Sequence, residues 1–548
     1  GSNAAATRIG SDGLLKKYRE NVLTESNNFS DSDWDEQNAT LTSGQVDKDG
    51  GTDAWKLEAT TTGQTYIQQY ISIIANKPTA FSIYAKSGNV DFLKFIFACS
   101  GSNSIVTFDL SDGSTSSDLR NISVNAEDVG GGWYRCSASA APGTNITAVR
   151  FEVRSDKGNA DADDGSFVYI QSAQLESGLA ATDVLTSGAT TAKAGVLIDM
   201  PRINYDANGE NGALLLEPSR QNLVQYSEYF GAWTLSNSTI TSNATTSPEG
   251  VNNASLYTST NVTNYVRNII TASNATYTLS VFVKRVSTDE FRMNFSDGVT
   301  GEIRYVFNLA DETSTLTKSG GTISGYSADF ENYGNGWYRL HITATTNAGT
   351  AITAYFETDN ETGSFYLYGA MLEQNASYQS SYIPNHGTSG GVTRAADSCS
   401  VTGASDVIGQ TEGTIYLDIQ TPDAIQSNTT FSIGGGTSSE YAQLEIRTDL
   451  SINWRYRQGG TDYINANVGS YSAGDRLKLA FGYKNGDSIL YLNGSSIATD
   501  TGSIASNSWD EVKYSNFTDT GKLEASVYET TLFTERLTNA ELATLTTL

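Results

Sequence analysis

Histidine, cysteine, proline and positive charge are all scarce in this chain. Its 548 residues include 2 His, 3 Cys and 7 Pro, and 34 Lys plus Arg stand against 61 Asp plus Glu. The formal net charge of −27 argues against a nucleic-acid partner, which needs a basic surface, and against anionic membranes. It suits solubility and cation binding. No apolar run approaches the roughly 18 residues of a membrane-spanning helix, so no membrane insertion is expected. The N-terminus has no basic stretch followed by an apolar one, so no signal peptide is expected. Gly1-Ser2-Asn3-Ala4 reads either as a cloning remnant or, because Thr7-Arg8 echoes Thr393-Arg394, as native sequence, and on either reading the chain fits a fragment of something longer. Cys99, Cys136 and Cys399 are odd in number and lack metal-ligand spacing, so they read as small hydrophobes. His341 and His386 have no second histidine or cysteine nearby in sequence. Zinc chemistry and a histidine-based triad are therefore not expected, and both read as solvated polar residues.

What the chain does have is a copy of itself. Arg19-Glu20-Asn21-Val22-Leu23 through Phe29 to Trp34 returns as Arg220-Gln221-Asn222-Leu223 through Phe230 to Trp233. Phe81-Ser82-Ile83-Tyr84-Ala85-Lys86 returns as Leu279-Ser280-Val281-Phe282-Val283-Lys284, and Gly132-Trp133-Tyr134-Arg135 as Gly336-Trp337-Tyr338-Arg339. Ala173-Gln174-Leu175-Glu176 returns as Ala370-Met371-Leu372-Glu373. The order is kept at an offset near ~200 residues, too long for a solenoid unit and right for a whole domain. The positions matching Cys99 and Cys136 are not cysteine in the second copy, which argues against a shared disulfide.

Apolar and polar residues alternate with period two in these blocks, the mark of half-buried strands. Many short strands with Gly, Asn and Asp turns and no long helical periodicity predict an all-β fold of jelly-roll-like sandwiches. The expected organisation is an N-terminal segment 1–20, jelly-roll-like repeats at 21–185 and 221–400, a hairpin-like connector at 186–220 and a different sandwich at 401–548. In that last part Ala442, Leu444 and Ile446 alternate with polar residues. Lys484-Asn485-Gly486-Asp487 reads as a turn and Asn493-Gly494 as a hairpin cue. Thr538-Asn539-Ala540-Glu541 is a capping box opening a short helix.

Leu214-Leu215-Leu216-Glu217-Pro218-Ser219-Arg220-Gln221-Asn222-Leu223, then Tyr226-Ser227-Glu228-Tyr229-Phe230, resembles a signature of phage fibre and head-spike proteins. Gly336-Trp337-Tyr338-Arg339, Met371-Leu372-Glu373, Ser381-Tyr382-Ile383-Pro384 and Val392-Thr393-Arg394-Ala395-Ala396-Asp397 continue it in order. The first copy has Ala181-Thr182-Asp183-Val184-Leu185 in place of the Tyr-Ile-Pro element. Residues 412–548 resemble laminin-G/concanavalin-like domains through Leu479-Ala480-Phe481, Leu490-Tyr491-Leu492-Asn493-Gly494 and the terminal helix. The resemblance implies a virion-surface fibre or spike protein that is structural and adhesive. It also implies contacts to other virion proteins and host-surface carbohydrate through multivalent modules, and a homotrimer by analogy. Its motif residues imply architecture, so no functional set carries over.

Candidate chemistry is sparse. Trp454 and Tyr456 share one face of a strand and could form a sugar platform, with Arg455 and Arg457 on the other face reaching a sugar carboxylate. A buried core face is the commoner use of such a pair. Asn159, Asp161, Asp163, Asp164 and Gly165 alternate oxygen donors before a glycine, half of a calcium loop, and Asp359, Asn360 and Glu361 match them in the second copy. No glutamate closes either loop, and an exposed acidic turn is the competing reading. Carboxylates abound, but no Glu-x-Asp-x-x-Glu strand or Gln-x-His strand appears. A non-enzymatic protein is therefore expected, with a purely architectural decoration protein and a polysaccharide depolymerase as the alternatives.

Overall fold

The computed structural model describes residues 5–548 apart from 119, 159 and 505. All strand pairing among the named strands is antiparallel, and the one α-helix among the described residues is Asn539–Leu545. Its N-cap Thr538 and Glu541 make the reciprocal bonds of a capping box.

The first copy folds into two six-stranded sheets. The front sheet runs in the order Thr115–Ser117, Ser104–Asp109, Phe92–Cys99, Ile146–Arg154, Thr65–Ile73, Asp35–Gln37. The back sheet runs Asn121–Gly130, Trp133–Ala140, Thr79–Ser87, Phe167–Ser177, Ala54–Ala59, Ala39–Gln45. Pairing is nested: Ala54–Ala59 with Phe167–Ser177, Thr65–Ile73 with Ile146–Arg154, Thr79–Ser87 with Trp133–Ala140, and Phe92–Cys99 with Ser104–Asp109. First pairs with last and each inner strand with its mirror, which is the jelly roll.

The second copy repeats this strand order in both sheets. Its front sheet runs Thr313–Gly320, Glu302–Asn308, Glu290–Ser296, Ala351–Thr358, Tyr265–Thr271, Thr234–Ser236. Duplicated aromatics fill the two cores: Trp34 stacks on Phe151 at 6.1 Å, and Trp233 on Phe356 at 5.4 Å. Trp133 and Trp337, which follow their glycine turns, are both 2% exposed. All three cysteines are free; Cys136 is buried and the other two are half-buried.

The third sandwich packs a seven-stranded sheet on a six-stranded one. In its chain-reversing turn, Asn493 and Gly494 have φ of 47° and 81°. Two consecutive positive φ values match the right-handed twist of the strands they join. Two of its seven strands, Ile203–Asn204 and Ala213–Leu216, come from the segment between the two copies, and Leu214–Leu216 pairs with Ala525–Val527.

The motif around Glu217 explains its residue types here. Glu217 is 9% exposed. It accepts hydrogen bonds from Arg202 Nη2 at 2.8 Å, from the Ser381 amide at 2.7 Å and from Ser381 Oγ at 2.6 Å, and it pairs with Arg394 at 2.8 Å. Asp397 accepts from Arg202 at 3.3 Å and from the Glu217 amide at 2.9 Å. Burial pushes the Glu217 carboxyl up, but Arg394 and Arg202 with Ser381 outweigh it and bring it down to about 2. This network ties the connector to the second jelly roll.

Candidate functional site

In the strand Ile146–Arg154 the inward residues Val149, Phe151 and Val153 are fully buried. Alternation therefore turns Arg150, Glu152 and Arg154 to the outer side of the front sheet. In Ala351–Thr358 the inward residues Ala354 and Phe356 turn Tyr355 and Glu357 outward in the same way. Register completes both outer faces. Tyr66 lies opposite Glu152, Gln68 opposite Arg150 and Lys94 opposite Glu152. In the second copy Arg267 lies opposite Tyr355 and Arg292 opposite Glu357, with Tyr265 beside them.

Each copy thus carries a tyrosine, a buried glutamate and a cation bound to that glutamate at matched positions. In the first, Glu152 is fully buried and meets Lys94 at 3.2 Å, Arg150 at 3.4 Å and Arg154 at 3.5 Å. The Arg150 guanidinium lies 3.8 Å from the Tyr66 ring centre. In the second, Arg292 Nε donates to Glu357 at 3.1 Å and its Nη1 to Asp359 at 2.7 Å. Burial pushes Glu357 up, with Arg292 opposing. Arg267 lies 5.2 Å from the Tyr265 ring centre and 5.7 Å from that of Tyr355, within the range of a cation–π contact.

The second face borders an open cavity of about 430 Å³ lined by Tyr265, Tyr355, Asn294, Arg304, Glu302 and Glu357, among others. Glu302 accepts from Asn294 at 2.7 Å and from Arg304 at 2.8 Å, and also pairs with Lys318. It is held below the ordinary carboxylate range: burial raises it, but Lys318, Asn294 and Arg304 prevail. Asn294 is 5% exposed, yet its Oδ1 has no hydrogen-bond partner.

The residues singled out from sequence lie elsewhere. Trp454 and Tyr456 are core residues of the third sandwich, 1% and 0% exposed. Trp454 meets Phe481 edge-on at 5.1 Å, and Tyr456 bonds Asn507 at 2.7 Å, so neither offers a ring face to a sugar. The same alternation turns Arg455 and Arg457 outward, where both pair with Asp462, at 2.6 Å and 3.4 Å. Of the expected calcium ligands, Asp161 is paired with Arg154 at 2.6 Å and Asp359 with Arg292 at 2.7 Å. Asp163, Asp164 and Glu361 are exposed, and Asn159 lies outside the described residues. Among the described residues no three His, Cys, Asp or Glu side chains are grouped to hold a metal ion. The histidines are not freely solvated either. Both are half-buried, with His386 Nδ1 3.8 Å from Glu228.

The front faces were missed because their residues are scattered in sequence. One signal was present: Arg150-Phe151-Glu152-Val153-Arg154 and Tyr355-Phe356-Glu357-Thr358-Asp359 place charge outside the same core phenylalanine in both copies.

Fold and faces together define a class: tandem jelly rolls with polar, aromatic outer sheets, followed by a third sandwich. No protein-family model and no curated protein matches the sequence. Among solved structures, the tandem CBM22-1–CBM22-2 domains of Paenibacillus barcinonensis Xyn10C match at 11% identity and a TM-score of 0.22, covering 65% of this chain and 97% of that one. The Ruminococcus gnavus IT-sialidase CBM40 bound to α2,3-sialyllactose matches at 19% and 0.24, covering 28% and 97%. Domains LG4-5 of the mouse laminin α1 chain match at 11% and 0.17, covering 49% and 84%. Scores this far below 0.5 assign no ligand to this chain.

Proposed function

We propose that this chain is a non-catalytic glycan-binding protein whose twin jelly rolls present their front faces to carbohydrate. The observation that carries the reading is the recurrence, at matched positions, of a tyrosine beside a cation-bound glutamate on the outer side of the same sheet. In the second copy the face also has an open cavity of about 430 Å³ bordered by both tyrosines. Tyrosine rings supply an apolar surface for a pyranose, and the fixed charges supply oriented donors and acceptors for its hydroxyls. Two faces on one chain make weak single-site binding additive, and oligomerisation multiplies it further. Display on a phage particle beside other virion proteins, as a homotrimer, rests on the motif order from Leu214 to Asp397.

The test is a glycan array followed by titration calorimetry on the full chain. Tyr265→Ala is expected to weaken the best ligand by about tenfold, given about 0.5–1.5 kcal/mol for an aromatic contact plus the lost area. Silence across a broad array, with assembly onto particles intact, would replace this reading by pure architecture.

One observation favours cleavage as a second reading. Glu302 and Glu357 border one cavity and their acidities are pushed in opposite directions, as a glycosidase pair requires. Against it, Arg292 binds the Glu357 carboxylate directly, which favours its charged form against the effect of burial. Reducing ends released from a bound polysaccharide would move the assignment to this second reading.

A further inference from the structure

The two faces are copies, but they differ at one position that decides ligand charge. Gln68 lies opposite Arg150, and Arg267 lies opposite Tyr355, at equivalent points of the two front sheets. In the first copy the Gln68 side chain is fully engaged. Its Nε2 donates to Asp35 and to Tyr70, both at 2.8 Å, and its Oε1 accepts from Arg150 at 2.8 Å and 3.1 Å. The cations of that face each meet a carboxylate, the three of them sharing two: Lys94 and Arg150 meet Glu152, and Arg154 meets Glu152 and Asp161.

In the second copy Arg292, Arg304 and Lys318 are each bound to a carboxylate. Arg267 is not. Its one hydrogen bond among the described residues runs to the Tyr355 hydroxyl at 3.2 Å, and its Nε is buried without a partner. The guanidinium is held between two tyrosines that both border the cavity and stands beside it, outside its lining. A planar fork held on an aromatic shelf with spare donors is suited to a carboxylate, which it can meet with two parallel hydrogen bonds. The chain as a whole carries −27 and repels anions at long range. An anionic ligand therefore needs such a local unmatched cation.

Building on the glycan-binding reading, we infer that the second jelly roll takes an acidic sugar, with Arg267 on its carboxylate. No covalent step is involved.

The experiment uses the full chain and paired probes: oligogalacturonate, oligoglucuronate and sialyl-oligosaccharides, each beside the same oligosaccharide with its carboxyl groups reduced to alcohols. At least one acidic probe is expected to bind about tenfold or more tighter than its reduced partner, the worth of one charge-assisted bond. Arg267→Gln is expected to erase that preference, so that the acidic probe binds no tighter than its reduced partner. Arg267→Lys, which keeps the charge and loses the fork, should retain part of it. If the acidic and reduced probes bind alike, or if Arg267→Gln keeps the preference, the inference falls while the glycan-binding reading stands. If no probe of either kind and no array glycan binds, both fall.

Discussion

Replacing Glu217 by glutamine tests the claim that the Leu-Leu-Leu-Glu-Pro-Ser-Arg motif is a structural clamp. The carboxylate is 9% exposed and lies between Arg202 and Arg394, each at 2.8 Å. Glutamine keeps the shape and removes the charge. Arg202 retains Asp397, but Arg394, fully buried, keeps neutral partners alone: Ser381 Oγ at 2.7 Å and the Pro218 carbonyl at 2.9 Å. Breaking one partner out of a buried pair costs about 3–5 kcal/mol. Linkage gives an independent figure. A carboxyl brought from 4.5 to about 2 in the fold contributes about 3 kcal/mol at neutral pH. The folded value is depressed, so this stability is complete above 4.5 and is lost as pH falls towards 2. About 2 kcal/mol of it is gone at pH 3. Calorimetric melting of wild type and Glu217→Gln at pH 7 and pH 3 reads both numbers. The second jelly roll's transition should fall clearly at pH 7, and the gap between the proteins should narrow by more than half at pH 3. A gap under about 1 kcal/mol at pH 7, or one that does not change with pH, would refute the clamp.

Two further expectations separate core from surface. Trp454→Ala should destabilise the third sandwich by about 3–5 kcal/mol through the cavity it leaves, seen as an early unfolding transition, while glycan affinity of the folded protein stays unchanged. Selective loss of sugar binding with normal melting would restore Trp454 as a platform. His341 and His386 are both pushed down to about 4, chiefly by burial, so each is neutral in the fold where the unfolded chain would bind a proton. Their contribution is complete above the ordinary 6.5 and is lost as pH falls through about 4. With 2 His in the chain, a proton NMR titration resolves them; titration of either near 6.5 would contradict the burial described here.

Local pattern was enough to read the duplication, the strand faces, the Asn493-Gly494 turn and the Thr538–Glu541 cap. Each depends on neighbours within a few residues, and the second copy repeated the evidence. Trp454 shows where that reading ended. Period two puts Trp454 and Tyr456 on one face and Arg455 and Arg457 on the other, and it did so correctly. Whether a face meets a second sheet or water depends on strands distant in sequence. The front faces were hidden for the same reason. Arg150 meets Gln68 across 82 residues and Arg292 meets Glu357 across 65, so only closure of the jelly roll assembles them. The partners of Glu217 were equally out of reach, since Ser381 lies 164 residues away. Sequence alone determined that there would be two matched β shells and a third. Tertiary pairing decided which polar residues became a clamp and which were left facing outward around a cavity, because antiparallel register joins side chains by position in the sheet and not by distance along the chain.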